Sequence, residues 1–182
     1  TPYGDLCKAA NDKFYGMTSA GGKNYVGVLF EWDALTNIYT KKFDFDGTET
    51  GGWPSGSLMQ AGNGKLYGVT QYGGSYNCGV LFEWDPNTDV FTKKIDFGTY
   101  WGSNPVGTLV QANDGKLYGM TQSGGYYNRG LIFVWDPETN VIAEKFSFNG
   151  TGNGNTVVGS LVKDASGHLY GMTSAGGAND LG

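Results

Sequence analysis

Histidine, cysteine, basic charge and long apolar runs are all scarce in this chain, and each shortage removes a class of function. His168 is the only histidine in 182 residues. A nucleophilic triad needs a base, and a zinc or copper centre needs several His or Cys ligands, so those chemistries lack their parts. His168 aligns with turn lysines and reads as a solvated turn residue. Two cysteines, Cys7 and Cys78, are too few for a disulfide framework. Twelve Lys and Arg against seventeen Asp and Glu give a net charge of −5 and no basic footprint, so nucleic acid is not an expected partner. No segment approaches the roughly 20 apolar residues of a membrane helix. None has the pattern of a secretory leader either.

Glycine and aromatic residues are abundant instead. There are 32 glycines, and aromatics make up 15% of the chain. Disordered low-complexity chains are rich in glycine but poor in aromatics, so the pairing indicates a folded, turn-dense all-β protein. The residues also repeat. Tyr15-Gly16-Met17-Thr18, Tyr67-Gly68-Val69-Thr70, Tyr118-Gly119-Met120-Thr121 and Tyr170-Gly171-Met172-Thr173 mark a period of about 52 residues.

The second copy shows what one period builds. Gly56–Ala61 reads as a strand, Gly62-Asn63-Gly64 as a tight turn and Lys65–Thr70 as a second strand. A glycine-rich loop through Gly73-Gly74 follows, then a third strand Gly79–Trp84. Asp85-Pro86-Asn87-Thr88 is a turn whose Pro pre-sets φ, and Val90–Phe97 is the fourth strand. Four short strands in about 50 residues make an antiparallel meander that cannot stand alone. No segment has a helical apolar period, so the expected fold is a set of β-propeller blades. Blades are expected over 2–53, 54–104 and 105–156, with 157–182 supplying only the first two strands of another. The pattern opens mid-repeat at Thr1, which leads to the expectation of a piece of a longer repeat protein. Cys7 aligns with Met59, Val110 and Val162 and reads as a small strand hydrophobe, while Cys78 falls at a loop–strand junction.

The Gly-Ser-Leu-x-Gln-Ala…Leu-Tyr-Gly-x-Thr…Gly-Gly…Leu-Phe-Glu-Trp-Asp-Pro pattern resembles the GloVer tandem repeats of bacterial exported proteins, within the wider kelch-like group of propellers. The resemblance covers essentially the whole chain. It implies a secreted or cell-surface protein and no particular chemistry. Trp32, Trp84 and Trp135 stand where kelch repeats usually have Tyr.

Several residues are candidates for a site. Glu31 and Glu83 share a strand position, but the third copy has Val134 there, and the expected role is a hydrogen-bonded strand face. Asp44, Asp46 and Glu49 resemble part of a calcium loop. No cofactor is expected, and calcium is the one candidate ion. Asn149-Gly150-Thr151 matches a glycosylation sequon that one chance triplet would also give. Aromatics carry the strongest signal. In a meander, the loops after strands two and four open on one end of the blade. That rule places Tyr25, Trp53, Tyr72, Tyr76, Tyr100, Trp101, Tyr126 and Tyr127 on one face, rimmed by Asn77, Asn104 and Asn128. Two outcomes compete: the rings cap the blade edges by burial, or they form a face that binds carbohydrate or another protein. The leading expectation is a non-catalytic binding module. Self-association into an oligomer or filament is the structural alternative, since a partial ring leaves open blade faces. A glycan hydrolase or lyase built on paired carboxylates is a minor one.

Overall fold

The computed structural model of the chain describes residues 2–182, and those residues contain strands and turns but no helix. The first sheet holds β1 (Cys7–Lys8), β2 (Phe14–Thr18), β3 (Val28–Asp33) and β4 (Ile38–Asp44), paired in that order. In the second, β5 (Gly52–Pro54) and β6 (Met59–Gln60) both pair with β7 (Leu66–Tyr72), followed by β8 (Val80–Asp85) and β9 (Val90–Asp96). The third runs β10 (Ser103–Gln111), β11 (Leu117–Ser123), β12 (Leu131–Asp136) and β13 (Val141–Ser147). A last two-stranded sheet joins β14 (Asn155–Lys163) to β15 (Leu169–Ala175). All pairings are antiparallel. These are the meanders of a β-propeller.

The inner strand of the second copy differs from the expected Gly56–Ala61 run. Gly56 sits at φ +93°, and pairing breaks into β5 and β6 on either side of it. The equivalent Gly107 and Gly159 make bulges inside β10 and β14.

β8 and β12 are buried along most of their length because their sheets each lie between two others, whereas β3, on the first sheet, is covered on one side only. The glycine of the Tyr-Gly signature has a packing reason. Gly68 faces Phe82 across the ladder, and a Cβ on it would lie 2.7 Å from that ring. Between the first two sheets, Tyr15, Met17, Leu29 and Phe45 pack on Leu58, Leu66, Phe82 and Trp84. Tyr67, Val69, Leu81 and Phe97 repeat the contact against Leu109, Leu117, Phe133 and Trp135. Phe45–Phe82 and Phe97–Phe133 are the same edge-on pair, at 5.4 and 5.1 Å. Each buried ring contributes roughly 1.5–3 kcal/mol of transfer free energy.

Sheets also latch along the axis. Asp5 N–H donates to Ser57 Oγ (2.7 Å), Ser57 N–H to Thr108 Oγ1 (3.0 Å), and Thr108 N–H to Ser160 Oγ (2.8 Å). Farther along, Ala10 N–H donates to Gln60 and Gly62 N–H to Gln111. The repeated strand aromatics are core only where a neighbouring sheet covers them. Leu58 is 3% exposed, but its counterpart Leu6 is 46% exposed, and Trp32 is likewise less buried than Trp84. At the other end Tyr170 and Met172 are exposed, whereas Tyr67 and Val69 are buried. Cys7 is half-buried on the first core and Cys78 precedes β8; both are free thiols.

Candidate functional site

Two sets of glycine loops meet above each blade junction. Gly74 N–H donates to Thr48 O (2.5 Å), Gly125 N–H to Thr99 O (3.2 Å), and Gly177 N–H to Gly150 O (2.8 Å). Each bond ties a double-glycine loop to the connection that leads into the same sheet, so both loop sets occupy one end of the blades. The eight candidate aromatics sit on these segments, and every one is exposed, from 39% at Tyr72 to 85% at Tyr126. None of the rings is enclosed over a blade edge, although Tyr72, Trp53 and Trp101 are more than half covered.

Their placement differs from expectation at two points. Trp53 lies on β5 rather than in a loop, and Tyr72 is the last residue of β7. The two rings meet edge to face at 5.6 Å and 86°. Tyr126 and Tyr127 form another such pair at 4.8 Å. The expected asparagine rim is not free. Asn77 and Asn128 accept the N–H groups of Gly73 and Gly124, both at 3.0 Å, and Asn104 donates to Gln71 O at 3.1 Å. All three are left-handed residues that close their own loops.

Trp53 also stands at the edge of a cleft of about 600 Å³ along the blade axis. Its walls come from the inner strands, including Ser55, Ser57, Thr108 and Ser160, with Gln71 and Gln122 alongside. The two glutamine side chains are hydrogen-bonded to each other at 3.3 Å. Asp5 is the one charged residue in the lining among the described residues. Sequence reading missed this cleft because its residues are Ser, Thr, Gly and Gln scattered over the chain. The recurring Gly-Ser/Thr-Leu step was the available signal.

The acidic candidates do not converge. Asp44 accepts the Lys23 N–H and pairs with Lys41, and Asp46 accepts the N–H groups of Thr48 and Thr50. Glu49 pairs with Lys93. Among the described residues, no group of three or more His, Cys, Asp or Glu side chains comes together. Each of these three carboxylates thus already has a turn N–H or a lysine as a partner. Asn149 of the sequon likewise accepts the N–H groups of Gly152 and Asn153. His168 is an exposed turn residue beside Asp164.

Glu31 and Glu83 each anchor a polar network on their own sheet, and Lys42 extends the first to Asp89 of the next. Tyr67 donates to Glu83 at 2.6 Å and accepts from Asn63, while Lys65 and Lys94 pair with the same carboxylate. Burial pushes Glu83 up, but the Tyr67 and Lys65 hydrogen bonds and the Lys94 charge outweigh it and hold the group below its ordinary value. Burial raises the Tyr15 phenol to about 12, opposed by the Asn11 hydrogen bond and reinforced by Glu31. A carboxylate so held accepts these hydrogen bonds as an anion.

A family model described as the Gloeobacter/Verrucomicrobia repeat matches residues 1–182. The chain belongs to this repeat family. A search of curated proteins gives no match. Among solved structures, the chain is similar to the extracellular domain of a two-component system from B. thetaiotaomicron, at 17% identity and a TM-score of 0.61. That match covers 94% of this chain and 20% of the other. A protein assigned as a gluconolactonase matches at 14% identity and a TM-score of 0.59, over 91% of this chain and 55% of its own. TolB from Acinetobacter baumannii matches at 12% identity and a TM-score of 0.52, over 93% and 39%. At these identities the likeness establishes the shared propeller fold. The repeat spans a fifth to about half of each of these structures. No helix among the described residues is long and apolar enough to cross a membrane.

Proposed function

We propose that this chain is a non-catalytic propeller module of a secreted or cell-surface protein that binds carbohydrate through its aromatic loop face. The observation that carries the reading is the exposure of all eight loop aromatics on one end of the blades. Rings left in water on a repeated scaffold gain little from folding and are suited to stacking on sugar rings. The extracellular placement of the B. thetaiotaomicron domain supports the localisation. Titration calorimetry and a glycan array on the purified chain test the proposal. Binding that weakens when the loop aromatics are replaced by Ala supports it, and absence of any glycan binding refutes it.

A second reading, assembly with further copies of the repeat, is favoured by the ends of the stack. Leu6, Phe30 and Trp32 at one end and Tyr170 and Met172 at the other are the two halves of the internal blade contact, left without a neighbour. Light scattering would show a species of at least twice the chain mass, while a stable monomer at high concentration would count against self-assembly.

A further inference from the structure

Two aromatics of the face stand where the repeat elsewhere keeps a loop-closing polar residue. Tyr25 occupies the position of Asn77, Asn128 and Asp180, with φ of 62°, 52°, 51° and 55° respectively. The three polar residues accept an N–H from the first glycine of their own loops, at 3.0, 3.0 and 2.8 Å. A phenol on a rigid ring cannot fold back to do so. Trp53 occupies the position of Asn104 and Thr156, with φ of 51°, 54° and 52°. Asn104 uses the conformation to bond Gln71 O. Left-handed backbone accommodates Asn readily and strains a bulky residue.

Both exchanges fall at one blade junction, where Trp53 N–H donates to the carbonyl of Val26, the residue after Tyr25. Neither ring is enclosed in return: Tyr25 is 81% exposed, and Trp53, at 42%, rests edge-on against Tyr72 alone among the aromatic rings. Strain that so little packing offsets is a mark of a residue kept for contact with something else. The chemistry of that contact follows from the cleft beside Trp53. The hydroxyl oxygens of Ser57, Thr108 and Ser160 each accept a backbone N–H, so each hydroxyl keeps a proton to donate, and all three residues line the cleft. Asp5 adds a negative charge and no basic group opposes it in the lining, which disfavours an anionic sugar.

Resting on the carbohydrate reading above, we infer that Trp53, seated by Tyr72 and flanked by Tyr25, is the stacking platform for a pyranose ring of a neutral glycan. The ring's oxygens would accept from the hydroxyl row of the cleft. The test uses laminarihexaose and cellohexaose as neutral probes and hexagalacturonate as the anionic one, with calorimetry for affinity and thermal unfolding for stability. Trp53→Asn and Tyr25→Asn restore the polar residue of the other copies. Both variants should melt above the parent chain, and Trp53→Asn should weaken binding of a neutral hexaose by about ten-fold or more. His168→Ala, on the opposite turns, should bind as the parent does.

A lower melting temperature in both Asn variants would show that the rings are structural and overturn the inference. If the parent binds a neutral hexaose and Trp101→Ala loses more affinity than Trp53→Asn, the platform lies elsewhere, the inference fails and the aromatic-face reading stands. Preference for hexagalacturonate would overturn the neutral-ligand assignment alone. Absence of binding to any glycan removes the carbohydrate reading and this inference with it.

Discussion

The repeat contains its own double-mutant experiment at Glu83. In the first two copies Asn11 and Asn63 donate to Tyr15 and Tyr67, whose hydroxyls donate to Glu31 and Glu83. In the third copy Val134 replaces the glutamate and Asp114 replaces the asparagine, and Tyr118 donates to Asp114 at 2.9 Å. Replacing Glu83 alone by Val, as in E83V, removes a carboxylate that is only 6% exposed and strands the Tyr67 proton. That orphaned group costs about 1–3 kcal/mol. Lys65 and Lys94 are partly exposed, at 38% and 23%, and turn to water, so their ion pairs add only about 0–1 kcal/mol. The single variant should thus lose about 2 kcal/mol, or roughly 4–8 °C in melting temperature. Adding N63D supplies Tyr67 with the acceptor Tyr118 uses and should recover at least about 1 kcal/mol. Urea unfolding of the parent, both singles and the double measures this, with constant m confirming that midpoint shifts are stability changes. A double variant no more stable than E83V would refute the compensation and the account of the network with it.

Three other outcomes are expected. Trp84 Nε1 is buried without a partner, because Asp89 at the position of Asn37 and Asn140 is held by Lys42 of the preceding sheet. D89N should give the indole its acceptor and raise stability by about 1 kcal/mol in thermal unfolding, with Lys42 keeping Glu31; a destabilised variant contradicts this. Gly56→Ala and Gly159→Ala both place a side chain at positive φ, +93° and +73°. The first new Cβ collides with the Gly107 backbone and the second meets open space, so Gly159→Ala should cost only about 1–2 kcal/mol and Gly56→Ala clearly more. Acid should unfold the chain through its held carboxylates. Burial pushes Glu83 and Asp96 up, but Tyr67 and Lys65 in one case, and Lys93 and Ser75 in the other, bring both below their ordinary values of 4.5 and 3.8. Depressed folded values mean the unfolded chain binds more protons. Urea midpoints should therefore hold above about pH 4.5 and fall as pH drops through the carboxylate range; a constant midpoint there would refute the linkage.

The period was enough to read the blades from the residues. A strand that is apolar on both faces, a Tyr-Gly step and an Asp-Pro turn each have a local cause that survives in any context, so their recurrence determined the all-β propeller and the end on which the loop aromatics fall. Sequence by itself also separated Tyr67 and Phe82, which recur at fixed strand positions, from Tyr100 and Trp101, which do not. It could not say whether a given ring is covered, because cover comes from a neighbouring sheet about 52 residues away. Only the tertiary structure decided that Trp84 is core while Trp32 is half-open, that the loop aromatics stand in water, and that Asn77 and Asn128 are loop caps rather than a binding rim. It also decided that Tyr25 and Trp53, far apart in the chain, share one blade junction beside the axial cleft. Backbone handedness and cross-blade hydrogen bonds create that juxtaposition, and neither is encoded in the pattern of any single repeat.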